Sequence, residues 1–224
     1  ANPSFTAANI ATSADGVRDA HIVDLDGDGD LDIISASYDD NTVAWYENDG
    51  AANPSWTASD IFTNINIAFD VNSADIDKDG DIDLVAVEAS NGNIILLEND
   101  GATNPSFTKT TVASGFTTLL YVDIQDIDLD GDLDIVAASW SNSGSISWIE
   151  NDGTHTPNWS TTHLLSGSAF SSPTNIEIAD MDSDGDLDLV IGSADGNSGK
   201  IGWLESDVAS NNDSAVMAQA GVDY

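Results

Sequence analysis

The chain contains no cysteine, which at once excludes disulfide staples, thiolate metal sites and a cysteine nucleophile. Basic residues are nearly as scarce. Arg18, Lys78, Lys109 and Lys200 stand against 40 acidic residues, a formal charge of -36 over 224 residues. A surface of that sign repels phosphate backbones and anionic lipid, so nucleic acid is not an expected partner. No apolar run approaches the roughly 20 residues of a membrane span, and no membrane insertion is expected. The three histidines, His21, His155 and His163, do not recur at matching positions, and there is no G-x-S-x-G elbow, phosphate loop or H-E-x-x-H. Apolar content, by contrast, is not lacking. At 41% it is too high for a disordered acidic tail, so the charge must sit on a folded surface or be neutralised by bound cations. Residue 1 is not methionine, as expected of a mature product whose leader has been removed.

Three markers repeat in phase. Aspartate runs begin at Asp24, Asp75, Asp126 and Asp180, the first two intervals equal and the third slightly longer. NPSF (Asn2 to Phe5), NPSW (Asn53 to Trp56), NPSF (Asn104 to Phe107) and the degenerate TPNW (Thr156 to Trp159) keep the same beat. So do AWYENDG from Ala44, ILLENDG from Ile95, SWIENDG from Ser147 and IGWLESD from Ile201. Four repeats follow, at about residues 2–52, 53–103, 104–155 and 156–207, with 208–224 as a tail or linker.

Within the first repeat, runs of Ile, Val, Thr and aromatics predict four strands: Phe5 to Ala11, Ala20 to Asp24, Leu31 to Ser37 and Thr42 to Glu47. Clusters of Gly, Asn, Asp and Ser separate them, and Pro after ENDG cannot continue a ladder. Four strands in about 50 residues predict an all-β β-propeller of four-stranded blades, each with one aspartate loop. If that loop joins the innermost strand to its neighbour, Phe5 to Ala11 precedes any blade of its own. It is then placed to complete the last blade, whose other strands are expected near Asn175 to Asp180, Leu187 to Ser193 and Lys200 to Glu205. A closed four-bladed ring, half of an eight-bladed ring completed by a second chain, and a piece of a longer array all satisfy this count. The tail from Val208 to Tyr224 carries no marker and reads as a linker or a competing strand.

The four loops share the pattern D-x-D-x-D-G-D-x-D. Their aspartates are Asp24, Asp26, Asp28, Asp30 and Asp32; Asp75, Asp77, Asp79, Asp81 and Asp83; Asp126, Asp128, Asp130, Asp132 and Asp134; and Asp180, Asp182, Asp184, Asp186 and Asp188. Hard oxygen donors on alternate residues suit Ca²⁺, which takes six to eight of them, and glycine at position 6 lets the chain turn at the ion. By analogy with the EF-hand, position 7 offers its carbonyl and position 9 its carboxylate. These are not EF-hands, since position 12 holds Ser35, Ala86, Ala137 and Ile191 instead of glutamate, and strands follow directly. Mg²⁺ fits less well because it retains waters in octahedral geometry, and Zn²⁺ would want His or Cys. Simple solvated turns do not need five carboxylates in one short loop, and like charges this close oppose folding. About four structural Ca²⁺ are therefore expected.

At these residues the sequence resembles the FG-GAP/VCBS repeat family, and W-Y-E-N-D-G (Trp45 to Gly50) is similar to a recurrent feature of its secreted bacterial members. The resemblance covers about residues 2 to 207. It implies a calcium-stabilised propeller in a secreted or cell-surface protein, a class that includes adhesins, lectin-like modules and accessory parts of polysaccharide-degrading enzymes. The FG-GAP dipeptides themselves are absent, and four repeats are fewer than the seven or eight blades usual there. The expected function is a non-enzymatic binding, adhesion or assembly module with a protein or glycan ligand, or a homo-oligomer that completes a larger propeller. A lectin-like or polysaccharide-processing protein is the alternative. Recurring Phe5, Trp56, Phe107 and Trp159, and Trp45, Trp148 and Trp203, are expected to pack between blades. Tyr38 and Trp140 do not recur and are candidates for exposed contacts. Glu47, Glu98, Glu150 and Glu205 are expected to accept hydrogen bonds from the following turn, and Lys78 to point to solvent.

Overall fold

The stretch after each aspartate loop, DIISAS, DLVAVE, DIVAAS or DLVIGS, is nearly continuous in small and branched apolar residues rather than alternating. Such a run suits a strand buried on both faces. In the computed structural model, which describes residues 2–141, 144–166, 170–194 and 199–206, each run is the second strand of an antiparallel sheet. The first sheet is β1 (Val17–Val23), β2 (Asp32–Ser37), β3 (Thr42–Asn48) and β4 (Trp56–Phe62). The second is β5 (Ala68–Ala74), β6 (Asp83–Glu88), β7 (Asn93–Asn99) and β8 (Phe107–Ser114). The third is β9 (Leu119–Gln125), β10 (Asp134–Ser139), β11 (Ser145–Asn151) and β12 (Trp159–Ser166). The fourth has three strands among the described residues, β13 (Pro173–Ala179), β14 (Asp188–Ser193) and β15 (Lys200–Leu204).

Each sheet is a meander in which every strand pairs with the next in sequence. The aspartate loop links the first strand to the second, and the ENDG turn links the third to the fourth. The first strands β1, β5, β9 and β13 lie side by side as the inner wall. They are stitched together by side chains: Asp19 accepts from the Val71 N–H at 3.3 Å, Asp70 from the Val122 N–H at 2.8 Å, and the Tyr121 hydroxyl donates to the Ile176 carbonyl at 2.9 Å.

The core lies between sheets. One buried cluster joins Leu25, Ile34, Val43 and Trp45 of the first sheet to Val71, Leu84 and Leu97 of the second. A second joins Ile76, Val85 and Ile94 to Leu119, Val122, Ile135 and Ile149, and a third joins Ile127, Val136, Ile146 and Trp148 to Ile176, Leu189 and Leu204. Each such side chain contributes about 1.5–3 kcal/mol by leaving water. No cluster of described residues joins the fourth sheet to the first. Basic residues reinforce the junctions: Arg18 lies over the rings of Tyr38 and Phe69, Lys78 pairs with Asp132, and Lys109 lies over Phe62 and 3.6 Å from Glu88.

The structure departs from the sequence reading at the N-terminus. Phe5 to Ala11 is not a strand, and Phe5 is fully exposed. A strand needs a ladder partner, and this segment pairs with none of the described strands. The outermost strand of the first sheet is instead β4, from the second NPS[FW] marker. Correspondingly, Phe107 packs on the first interior cluster and Trp159 on the second, whereas Phe5 packs on none. The Val208 to Tyr224 tail lies outside the described residues. Among those described, no helix is long and apolar enough to cross a membrane.

Candidate metal centres

Each loop folds by its own aspartates accepting backbone N–H groups two residues on. In the first loop, Asp28 N–H donates to Asp26 at 3.2 Å and Asp30 N–H to Asp28 at 2.9 Å, while Gly29 N–H reaches back to Asp24 at 3.0 Å. The second and third loops repeat all three bonds, Gly80 donating to Asp75 and Gly131 to Asp126. Position 6 has φ of +96° at Gly29 and Gly131, +100° at Gly80 and +104° at Gly185, where a Cβ would be strained. Position 4 also has positive φ, although only the first loop has glycine there; Lys78, Leu129 and Ser183 take it at +60°, +60° and +68°.

This curl brings carboxylate oxygens together. Asp24, Asp26 and Asp28 place oxygens within 4.8 Å of one another, and so do Asp75, Asp77 and Asp83; Asp126, Asp128 and Asp134; and Asp180, Asp182 and Asp188. Positions 1 and 3 thus join in all four loops, completed by position 5 in the first and position 9 in the others. The first-loop Asp32 and the position 5 residues Asp79, Asp130 and Asp184 stand outside these groups. Position 7 faces elsewhere. Asp30, Asp81 and Asp132 lie against the glycine of the following ENDG turn, where a Cβ on Gly50, Gly101 or Gly153 would come within 1.9, 2.0 and 1.9 Å of the carboxylate. Asp186 of the fourth loop, at the same position, is buried and is not in the oxygen cluster.

Position 9 has a further task. Asp32, Asp83, Asp134 and Asp188 are buried, and each accepts the N–H of loop position 2 with one oxygen and an N–H from the end of the third strand with the other. The second donors are Asn48, Asn99, Asn151 and Ser206, at 2.8–2.9 Å. Burial pushes the carboxyls of Asp83 and Asp134 up to about 7 despite those donors. Burial also raises Asp26, Asp77 and Asp128, with the charge of the neighbouring aspartate adding to it.

The donor set fits a hard cation. Oδ1 of Asp24, Asp75 and Asp126 is shielded from solvent and accepts no hydrogen bond, so position 1 of three loops carries a desolvated carboxylate oxygen without a partner. Oxygen-only donors crowded in this way match calcium-type coordination.

The next sheet covers each of the first three loops. The Asn99 amide reaches the Leu25 carbonyl at 3.4 Å, Lys78 of the second loop pairs with Asp132 of the third, and His155 Nδ1 lies 3.4 Å from Asp77. Lys78 is exposed, as expected, and in addition bridges two loops, because an acidic neighbour lies within its reach. In the fourth loop Asp180, Met181 and Asp182 are all exposed.

The turn after the third strand is closed by residues other than the expected glutamates. Asn48, Asn99 and Asn151 accept the N–H of Gly50, Gly101 and Gly153, and their amides donate to Leu31, Ile82 and Leu133. Asp49, Asp100 and Asp152 cap the next few residues, each held below the usual carboxylate range by the side chain of Ser55, Ser106 or Asn158 first and by backbone N–H groups second. The constant spacing of ENDG from the loop carries this signal in the sequence, and the bonds of the turn go to its asparagine and aspartate rather than to its glutamate.

On the opposite rim, a cleft of about 400 Å³ is lined by Tyr38, Ile67, Phe69, Ser90 and Phe116 among others. Tyr38 thus meets a cleft as a candidate contact residue, and Trp140 is exposed.

A family model described as FG-GAP-like repeat matches residues 24–86, 75–137 and 126–191. No curated protein matches the chain. Among solved structures, the chain is similar to one in the crystal structure of BBS1N in complex with ARL6DN, soaked with mercury, with a TM-score of 0.57 and 13% identity. The match covers 95% of this chain and 61% of that one, and at such identity it concerns the fold alone.

Proposed function

This chain belongs to the FG-GAP-like repeat family, and from that premise we propose that it is a calcium-stabilised propeller module whose work is binding, adhesion or assembly outside the cell. The observation that carries the metal is the fourfold convergence of carboxylate oxygens within 4.8 Å, three of the loops holding a buried oxygen that accepts no hydrogen bond. The carboxylates of positions 1 and 3, with position 5 in the first loop and position 9 in the others, hold the ion. Bound calcium neutralises their mutual repulsion. Position 9 then connects the site to the end of the third strand, so each loop clasps three strands of its sheet. With free calcium about 100-fold above the dissociation constant, each site adds roughly 2.7 kcal/mol, and four add on the order of 10 kcal/mol. Millimolar extracellular calcium suits modules of this sort. Thermal melts in excess EDTA and in calcium test the reading: a steep fall in Tm on chelation is expected, and superimposable melts would sink it.

The cleft lined by Tyr38, Phe69 and Phe116 favours a second reading, carbohydrate recognition, since aromatic side chains are suited to contact a sugar ring. A glycan array probed with and without calcium separates the two. Calcium-dependent signal lost in Tyr38→Ala supports the lectin-like reading, and no signal at all leaves protein ligands.

A further inference from the structure

Among the described residues one interface repeats three times, and its two halves are then left bare on the fourth and first sheets. On the side of each sheet that faces the next, Val43, Ile94 and Ile146 are buried to 0, 0 and 1% exposure, but their counterpart in the fourth sheet, Ile201, is 83% exposed. Loop position 2 behaves alike: Leu25, Ile76 and Ile127 are buried, and Met181 is 55% exposed. On the side that faces the preceding sheet, Ala68 and Leu119 are fully buried whereas Val17 is 45% exposed. Leu31 is likewise exposed, although its counterparts Ile82 and Leu133 pack on the first and second clusters. Ile22 is exposed where Ile124 and Ile178 pack on the second and third. The front of the fourth sheet and the rear of the first are thus the two complementary surfaces already joined at three internal junctions.

A second feature points to the same occupant. Within the chain, the outer strand of one sheet leads directly into the inner strand of the next, β4 from Trp56 into β5 from Ala68 and β8 from Phe107 into β9 from Leu119, at identical spacing. Phe5 stands ahead of Val17, the start of β1, at that same spacing, and the segment Asn2 to Ala11 carries the outer-strand marker. It is therefore spaced as the outer strand of a sheet lying behind the first. Among the described residues the fourth sheet has no such strand, and nothing pairs with the outer side of β15. The aligned register places Phe5 opposite Ser206, as Trp56 stands opposite Asn48, and its ring on the third cluster, as Phe107 lies on the first.

We infer that two copies of this chain associate head to tail, the rear of the first sheet of one copy packing on the front of the fourth sheet of the other. The Phe5 to Ala11 segment of the first copy adds to β15 of the second as its missing fourth strand. The partner is a second copy because the incoming molecule must present both the apolar rear surface and, at the fixed spacing ahead of its inner strand, an outer-strand segment. The association buries apolar faces and adds a strand ladder. It is a heterologous contact, so two copies that satisfy it reciprocally close a ring of eight sheets, and copies that do not close extend an array.

Engineered cysteines give a clean test because the chain has none of its own. Thr6→Cys and Glu205→Cys chains stand opposite each other in the aligned register. Mixed in calcium under mild oxidation, the two are expected to form a disulfide-linked heterodimer, and sedimentation of the unmodified chain is expected to give a mass of two copies or more. Ile201→Asp, which is solvent-exposed in the single chain and so leaves its fold intact by circular dichroism, is expected to weaken association at least tenfold. A monomer at every concentration would overturn the inference. So would a cross-link that forms only within the Thr6→Cys/Glu205→Cys double variant independently of dilution, since the segment would then complete its own chain. An Ile201→Asp chain that associates like the parent also counts against it. Calcium-dependent melting is unaffected by any of these outcomes, so the proposed metal role stands or falls separately.

Discussion

The first three aspartate loops and the fourth share one sequence pattern but differ in their surroundings. In the first three, position 2 is buried beneath the next sheet and positions 1 and 3 are half-buried; in the fourth, all three are exposed. Desolvation follows the cover. Three loops, not the fourth, carry a shielded Oδ1 at position 1 with no hydrogen-bond partner. The lesson is that the motif supplies the donors, while the neighbouring sheet determines how strongly those donors need a cation.

The largest effect that could break this contrast is removal of the position 9 brace. Asp134→Ala strands two backbone donors, Ile127 and Asn151, in the interior, at about 1–3 kcal/mol each. Asp188→Ala frees the N–H of Met181, which water can reach, so its cost should be about half as large. Equal losses in denaturant melts of the calcium-loaded proteins would show that cover by the next sheet is irrelevant.

A smaller effect is expected at the turn that seats position 7. In Gly153→Ala, the new Cβ meets the Asp132 carboxylate and must take φ of +67°, which should cost about 2 kcal/mol. Gly27→Ala has φ of +71° but open space around it, so only the backbone penalty of about 1 kcal/mol applies. Thermal melts that rank Gly27→Ala as the worse of the two would contradict the packing of Asp132 on the turn.

Calorimetric calcium titration sharpens the comparison directly. In the unassociated Ile201→Asp chain, whose fourth loop no second copy covers, three tight sites and one about tenfold weaker are expected, a difference of about 1.4 kcal/mol. Four indistinguishable sites would mean that exposure of the fourth loop carries no penalty.

The smallest effect lies on the inner wall. Burial raises the Asp70 carboxyl to about 7, against the Val122 N–H and with the charge of Asp19 adding to it. Because the folded value lies above the unfolded one, the contribution of Asp70 to stability is fully present below about 4 and is lost as pH rises through 7. Asp70→Asn keeps an acceptor for Val122 and copies Asn175, the neutral residue at the equivalent place in the fourth sheet. The variant should match the parent below about pH 4, pull ahead as pH rises toward 7, and exceed it by at least about 1 kcal/mol at pH 8, read as a gain of a few degrees in Tm. A gain that does not depend on pH would rule out titration of Asp70 as the cause.

Much of this was legible in the linear chain. The loops and the strands that flank them arise from neighbours close in sequence, and they appear where the spacing places them. The sequence reading missed at Phe5 to Ala11, because a good strand segment forms no strand while it is paired with no edge. It missed the role of Lys78, whose partner Asp132 is 54 positions away in the chain. It also passed over the division of labour among the five aspartates, since side chains that alternate in sequence do not show which of them turn inward once the loop is braced by Asn48, Asn99 or Asn151.

What the sequence by itself determined is the local unit: a D-x-D-x-D-G-D-x-D curl between two short strands, repeated four times, each able to gather carboxylates. That follows from turn chemistry and periodicity, which act over short stretches of chain. Only the tertiary structure decided which loops are covered and which faces are buried or left bare. Burial depends on what lies across a junction, and the same residue type is interior at Ile94 and bare at Ile201 because one has a following sheet and the other has none within the described chain.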